Sequence, residues 1–309
     1  MNALTMKHLR YFEALARHGH FGRAAEACAI SQPALSLQMK ELEALLGAPL
    51  IERGPREVRL TPLGQEFVLR ARDILRAVNE LGQLARTAIG PMIGKLRLGV
   101  IPTAAPYLLP AVIHRLARAF PGIDPHPREA VTQKLVADLH EGRLDAAIVA
   151  LPLSEPALHE EALFDEEFVL VRPLSEADSP VPEAADLREM RLLLLEEGHC
   201  FRDQALSFCG SGGGERMEGS SLATLVQMVG AGIGVTLIPE MAVPVETRSA
   251  RVSVARLAGR PRRRIGMVWR KTNPLAPQLA EISALLRDLP DVGPAGQPAG
   301  QGTYSAASA

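Results

Sequence analysis

Cysteine is scarce in this chain of 309 residues: only Cys28, Cys200 and Cys209 are present. A surplus of one charge is missing too, since 34 Lys and Arg face 35 Asp and Glu for a formal net charge of −1. Overall charge therefore argues neither for nor against a nucleic-acid partner. No apolar run reaches the about 20 residues that a membrane-spanning helix needs. The start, Met-Asn-Ala-Leu-Thr-Met-Lys, lacks the apolar core of a secretory signal. These absences lead to the expectation of a cytoplasmic protein with no membrane contact, its thiols mostly reduced. No internal repeat stands out, and neither a metal nor an organic cofactor is expected. What the chain does have is length enough for a small domain plus one or two medium ones with a substantial core.

Balanced overall, the charge is uneven locally. Lys7, Arg10, Arg17, Arg23, Lys40, Arg53, Arg56 and Arg59 all fall in the first sixty residues. There Leu9, Phe12, Leu15 and Ala16 form a helical stripe that breaks at His18-Gly19-His20. Phe21, Ala24, Ala25 and Cys28 continue with helical spacing, and Cys28 reads as a small buried helix residue. Ser31 is a good N-cap, and Pro33 falls in the first turn, where its missing N–H is harmless. The helix so opened carries Leu35, Met39, Leu42, Leu45 and Leu46 and stops at Gly47. Two helices across a tight turn make a helix-turn-helix. Residues 50–60 then read as a basic hairpin, a wing.

Thr61-Pro62 opens a long helix to about Ile89. Phe67, Ala71, Ile74, Val78, Leu81, Ala85 and Ala88 recur at alternate spacings of four and three. That heptad seam suggests a dimer along the helix, against the plainer alternative of packing on its own domain. Beyond Gly90-Pro91 the pattern becomes alternating strands and helices. Strands are expected at 96–101, 144–149, 168–171, 191–195, 234–238 and 265–269, with helices at 106–119, 131–141, 220–231 and 275–288. Such alternation means an open α/β sheet with ligand crevices at strand ends. The late strand should return to the first sheet, giving two subdomains and a cleft. The expected domains are 1–62, a linker helix 63–90, and a regulatory domain 91–290. Its subdomains are about 91–165 with 266–290, and about 166–265. Residues 291–309, rich in Gly, Pro, Ala and Ser, read as a disordered tail.

Cys200 and Cys209 are too far apart for a CxxC motif. His199 and Arg202 can stabilise a thiolate at Cys200. Were 200–209 helical, nine steps of about 1.5 Å would separate the two ends by roughly 13 Å. Nine steps of about 100° would also point the side chains to opposite sides. A disulfide tolerates Cα separations of only about 4.4–6.8 Å. A bond between these residues requires the segment to unwind, which outlines a switch.

The run Ala24-Ala25-Glu26-Ala27, Ser31-Gln32-Pro33-Ala34-Leu35-Ser36, Lys40-Glu41-Leu42-Glu43, Leu50-Ile51-Glu52-Arg53 and Leu60-Thr61-Pro62-Leu63-Gly64 resembles the LysR-type transcriptional regulators. The likeness covers residues 6–290. Three further stretches resemble the peroxide-sensing members of that family. They are Ile101-Pro102-Thr103, Gly198-His199-Cys200-Phe201-Arg202-Asp203-Gln204-Ala205 with Cys209, and Pro261-Arg262-Arg263 before Ile265-Gly266. One departure is the loop after Cys209, where the family's longer acidic linker is replaced by Gly-Ser-Gly-Gly-Gly-Glu.

The resemblance implies an N-terminal winged helix-turn-helix, a long linker helix, and a two-subdomain α/β regulatory domain like the periplasmic binding proteins. It implies that Gln32, Pro33 and Ser36 approach base edges, while Arg53 and Arg56 approach phosphates or the minor groove. It further implies that Cys200 is the peroxide-reactive thiol and Cys209 its resolving partner, joined through a sulfenic acid into a disulfide. Thr103, Thr132, His199, Arg202, Asp203, Gln204 and Arg263 would form the pocket. Expected partners are double-stranded promoter DNA, further copies of the chain as dimer and tetramer, RNA polymerase, hydrogen peroxide as signal, and cytosolic thiol reductants. No enzyme is expected. Two other readings stay open: a regulator whose cleft binds a small organic anion through helix N-termini and Thr103, and a peroxide-consuming enzyme.

Overall fold

Thr5 opens the first helix because its hydroxyl accepts from His8 N at 3.3 Å while His8 Nδ1 accepts from Thr5 N at 3.3 Å. A computed structural model describes residues 4–52, 58–89, 93–210, 216–287 and 289, in two units, Met1–Ala85 and Arg86–Ala309. In the first unit α1 (Met6–His18) ends at Gly19, whose φ of 60° is the left-handed conformation that glycine adopts freely. Next come α2 (Phe21–Ala27) and α3 (Gln32–Leu46). Ser31 caps α3 by accepting from Ala34 N at 3.3 Å. Phe12, Leu15, Leu35, Leu42 and Leu50 are fully buried between the helices.

A two-stranded ribbon, β1 (Ile51–Glu52) and β2 (Arg59–Leu60), follows in antiparallel register. Glu43 anchors its start, one carboxylate oxygen accepting from both Leu50 N and Ile51 N. Arg53 and Arg56 lie outside the described residues, as does the tail 291–309. Cys28 differs from expectation. It sits one position beyond α2 and is half-buried, because the helix closes at Ala27.

The long helix α4 (Pro62–Ile89) starts where Gly64 crosses Leu50: a Cβ there would lie 2.1 Å from Leu50 O, so no side chain fits. Its apolar seam divides. Phe67 packs edge-on against Phe12, 5.5 Å between ring centres, and Ala71 is 1% exposed. Ile74, Val78 and Leu81 are 45%, 38% and 64% exposed. The first turns thus serve the chain's own core, and only the later ones are uncovered. The side chains of Ala85 and Ala88 lie outside the described ones.

The second unit runs β3 (Gly94–Val100), α5 (Ala105–Ala119), β4 (Ile123–Glu129), α6 (Thr132–His140), β5 (Ala146–Leu151) and the long β6 (Leu158–Pro173). It continues with β7 (Leu192–Leu195), α7 (Cys200–Cys209), β8 (Arg216–Gly219), α8 (Leu222–Gly230) and β9 (Val235–Pro239). The last elements are α9 (Val243–Glu246), β10 (Val252–Arg256), β11 (Arg262–Arg270) and α10 (Ala276–Leu286). Among the described residues nine strands join in the order β4-β3-β5-β11-β6-β9-β7-β8, with β10 also on β6. β6 is the shared member. Its Leu158–Glu167 part pairs with β11, and from Phe168 it pairs with β9 and, from Val169, with β10.

Two cores result. One gathers Leu98, Val100, Ile101, Leu108, Leu135, Ile148, Met267 and Trp269, the other Phe168, Leu170, Leu193, Phe201, Ala205, Cys209, Val226 and Ile238. Sequence periodicity missed β4, whose Pro125 and Pro127 argue against a strand. Ala130 N bonds Val100 O, so the even residues of β4 face β3 and both prolines point to the open edge. An edge strand loses nothing there. No helix among the described residues is long and apolar enough to cross a membrane.

Candidate functional site

At the start of α3, Gln32 and Pro33 are exposed and Ser36 is half-buried, while Ser31 is engaged in capping. The first turn of the second helix of a helix-turn-helix is the part that reaches base edges. Its underside is fixed by Leu35, Met39 and Leu42, each no more than 2% exposed. The exposed residues are therefore carried on a rigid base.

In the second unit the residues singled out in the sequence come from strand ends. Val100 and Glu129 are register partners on parallel neighbours β3 and β4. Thr103 and Thr132 follow these partners by three residues each, so both hydroxyls rise at the same end of the sheet. Thr103 is 3% exposed. Thr132 opens α6, and its Oγ1 is buried without a hydrogen-bond partner.

Helix α7 begins with Cys200 and ends with Cys209, both free thiols. Gly198 makes the approach with φ of 95°, and His199 holds the N-cap position without a side-chain capping bond. Cys200 is half-buried and packs against the first core, whereas Cys209, 1% exposed, belongs to the second. Burial pushes the Cys209 thiol up to about 11, with nearby Arg188 opposing the shift. Gln204, one turn along the same face as Cys200, carries a second buried and unpartnered oxygen, Oε1. A buried polar atom without a partner costs about 1–3 kcal/mol. Thr132 Oγ1 and Gln204 Oε1 are two such atoms.

Arg263 is the hub. Its side chain is fully buried in β11, donating from Nη1 to Thr103 Oγ1 at 2.7 Å and from Nη2 to Thr103 O at 3.0 Å. The guanidinium also lies 5.3 Å from the ring centre of Phe201, the residue after Cys200. Its charge is met by Glu166, which sequence reading did not single out: Nε donates to Glu166 Oε2 at 2.8 Å. A signal for it existed. Arg262, Arg263 and Arg264 stand opposite Glu167, Glu166 and Asp165, position by position. Alternation along the strands turns the outer two pairs to solvent and the middle pair inward.

Arg202 does not follow expectation. Two residues after Cys200 on a helix is about 200° round, away from the sulfur. Its Nη1 donates to Leu195 O at 2.8 Å and pairs with Glu218 at 2.7 Å. Asp203 is exposed rather than in an enclosed pocket. No group of three or more metal-ligating side chains occurs among the described residues.

Residues 6–65 match the bacterial regulatory helix-turn-helix proteins of the lysR family, and residues 90–290 match the LysR substrate binding domain. A probable hydrogen peroxide-inducible genes activator from Streptomyces viridosporus is 44% identical over 293 residues, covering 92% of this chain and 94% of that protein. Among solved structures, a cysteine-to-aspartate variant of full-length OxyR from Pseudomonas aeruginosa superposes with a TM-score of 0.71 at 35% identity, covering 94% of this chain and 97% of that one. A cysteine variant of Corynebacterium glutamicum OxyR with hydrogen peroxide bound gives 0.62 at 35% identity, covering 93% and 92%.

Proposed function

The chain belongs to the LysR family of bacterial transcriptional regulators, and from that membership we propose that it carries a hydrogen peroxide signal to promoter DNA through Cys200 and Cys209. The observation that carries the reading is the placement of both thiols on one helix, Cys200 at its first position and Cys209 at its last. Thr103, Thr132, Gln204 and Arg263 supply the surrounding polar groups, with His199 at the rim.

Chemistry follows from the groups present. Cys200 stands in the first turn of α7, where backbone N–H groups have no partner within the helix, and its thiolate form is the nucleophile. It attacks one peroxide oxygen, the O–O bond breaks, and the departing hydroxide takes a proton to become water. Positioned hydroxyl and amide groups hold the oxidant and meet the charge on the leaving oxygen, and the Arg263 guanidinium orients the Thr103 hydroxyl among them. The sulfenic acid on Cys200 then condenses with the Cys209 thiol, giving a disulfide and a second water. Two thiols are oxidised and one peroxide is reduced to two waters. Cytosolic thiol reductants return the pair to its resting state.

Ten residues of helix hold the two ends about 13 Å apart, so condensation needs α7 to unwind. Unwinding withdraws Cys209 from one core and Cys200 from the other. The contacts between copies of the chain change with them, and with them the spacing of the half-sites that the helix-turn-helix units grip. Gln32, Pro33 and Ser36 read bases, Arg53 and Arg56 meet phosphates or the minor groove, and RNA polymerase reads the outcome. The work is divided among residues 1–62 for DNA, 63–90 for pairing, and 91–290 for sensing, in the cytoplasm.

Thiol counting tests this directly. One equivalent of peroxide should remove two thiols per chain and alter the footprint on a responsive promoter. Intact thiols, together with a footprint that moves on addition of a small organic anion, would favour the cleft-binding alternative. Thiol loss with steady turnover on a reductant and no footprint change would favour an enzyme.

A further inference from the structure

Glu166 touches neither cysteine in any contact described above, yet it is 7% exposed and spends both carboxylate oxygens inside the protein. Oε2 accepts from Arg263 Nε at 2.8 Å and Oε1 accepts from Met241 N at 3.0 Å. We propose that Glu166 is a positioning residue for Cys200 oxidation, aiming Arg263 so that the Thr103 hydroxyl is left as a donor toward the oxidant. The assignment rests on the peroxide reading given above.

The carboxylate is tied to main chain at Met241, just after β9, and Met241 packs against both cores. It cannot swing with a side-chain rotamer. Arg263 is therefore gripped by its Nε edge, and the planar fork fixes where Nη1 and Nη2 point. Both point at Thr103. A hydroxyl has one proton and two acceptor lone pairs, and a guanidinium has no acceptor. Arg263 thus fills a lone pair on Thr103 Oγ1, and the Thr103 proton must go to a different acceptor. In the oxidation of Cys200 that acceptor is a peroxide oxygen, the group that gains electrons as the O–O bond breaks. The same guanidinium lies against Phe201, which keeps this donor in register with the first turn of α7.

A merely structural ion pair would leave this direction to chance. The flanking pairs, Arg262 with Glu167 and Arg264 with Asp165, already tie β11 to β6. Burying a third pair between the same strands adds little to strand pairing and carries a desolvation cost. Its inward position makes sense through what Arg263 does at Thr103.

The test uses the full reduced protein and compares two reactions of Cys200: oxidation by hydrogen peroxide and alkylation by iodoacetamide, which needs no donor to a leaving oxygen. Glu166→Gln should slow the peroxide reaction by roughly tenfold or more, the weight of one misaimed charged hydrogen bond, and leave alkylation unchanged. Because Glu166 acts through Thr103, adding Glu166→Gln to Thr103→Val should cause no further loss. Equal slowing of both reactions, an unchanged peroxide rate, or losses that multiply in the double variant would each overturn the assignment. Should the glutamine variant not fold, Glu166→Asp keeps the charge but draws it back by one methylene. It should show the same peroxide-selective loss, and a parental rate there overturns the proposal. A parent protein inert to peroxide overturns the functional reading and this assignment together. A reactive parent with an equally reactive Glu166→Gln overturns this one alone.

Discussion

Cys200 and Cys209 stand at the two ends of α7 and lie against different cores, the first half-buried on one and the second closed inside the other. Neither sulfur can reach its partner without giving up the packing that holds it. The two thiols are therefore separated in space, and the helix between them has to change before they can bond.

Replacing Cys209 by Ser should let the first oxidation proceed and block the second. One thiol is lost to peroxide, and Cys200 accumulates as sulfenic acid or goes on to the sulfinic state. Cys200→Ser should abolish peroxide-dependent loss at Cys209 altogether, because a thiol that burial pushes up to about 11 offers little thiolate. Intact-mass spectrometry after brief exposure distinguishes the outcomes. A Cys209→Ser protein that adopts the same oxidised conformation as the parent would count against the disulfide.

The raised pKa of Cys209 also sets a pH window for stability. The unfolded chain releases this proton near 9.0, while the folded protein keeps it to about 11 because burial disfavours the thiolate. Stability from this group is therefore whole below pH 9, falls as pH climbs between those values, and levels off above them. Urea midpoints of the reduced protein on either side of pH 9 should show the decline. Cys209→Ser should remove that part of it, and an identical slope in the variant would assign the decline elsewhere.

Much of this was legible in the amino-acid order because local rules and tertiary demands agreed. Ser31 caps, Pro33 sits in a first turn, and Gly47 stops a helix, as side-chain chemistry alone requires. The thiol pair was legible through the resemblance of Gly198-His199-Cys200-Phe201-Arg202-Asp203-Gln204 to the peroxide-sensing regulators, while helical geometry showed only that Cys200 and Cys209 cannot bond unless the segment unwinds. Other features needed the third dimension. Arg202 looked like a partner for Cys200, but helical phase carries it round to Glu218. Glu166 is one of three consecutive acids, and only the register with Arg262, Arg263 and Arg264 shows that it faces inward. Pro125 and Pro127 hid β4 because strand propensity cannot distinguish an open edge from a paired one. The seam on α4 read as one continuous stripe, whereas folding divides it between two uses.

Loss of the Gln32 side chain should relax sequence choice. Gln can pair bidentately with adenine, a contact worth about 1–3 kcal/mol of discrimination. Gln32→Ala should therefore narrow the gap between operator and random DNA while leaving the salt dependence alone. Arg53→Ala should do the reverse, weakening all sequences alike and lowering the salt slope by about one. Titrations of both variants on both DNAs at several salt concentrations decide it. Equal losses on operator and random DNA for Gln32→Ala would remove that residue from base reading.

The uncovered end of α4 gives the last prediction. Leu81 is 64% exposed and Ile74 45%, an arrangement that water disfavours and that a second copy of the helix would relieve. Placing a charge there, as in Leu81→Glu, should shift sedimentation toward monomer and weaken operator binding, because two linked half-site contacts become independent. Leu81 lies outside the buried core of its unit, so any fall in thermal stability should come only from lost pairing and should vanish at protein concentrations where the parent is also monomeric. Phe67→Ala, on the same stripe, should behave differently. Phe67 packs on Phe12 inside one chain, so its loss should destabilise that unit by up to about 3 kcal/mol. If Leu81→Glu leaves the sedimenting species unchanged, the later turns of the helix are not where copies meet.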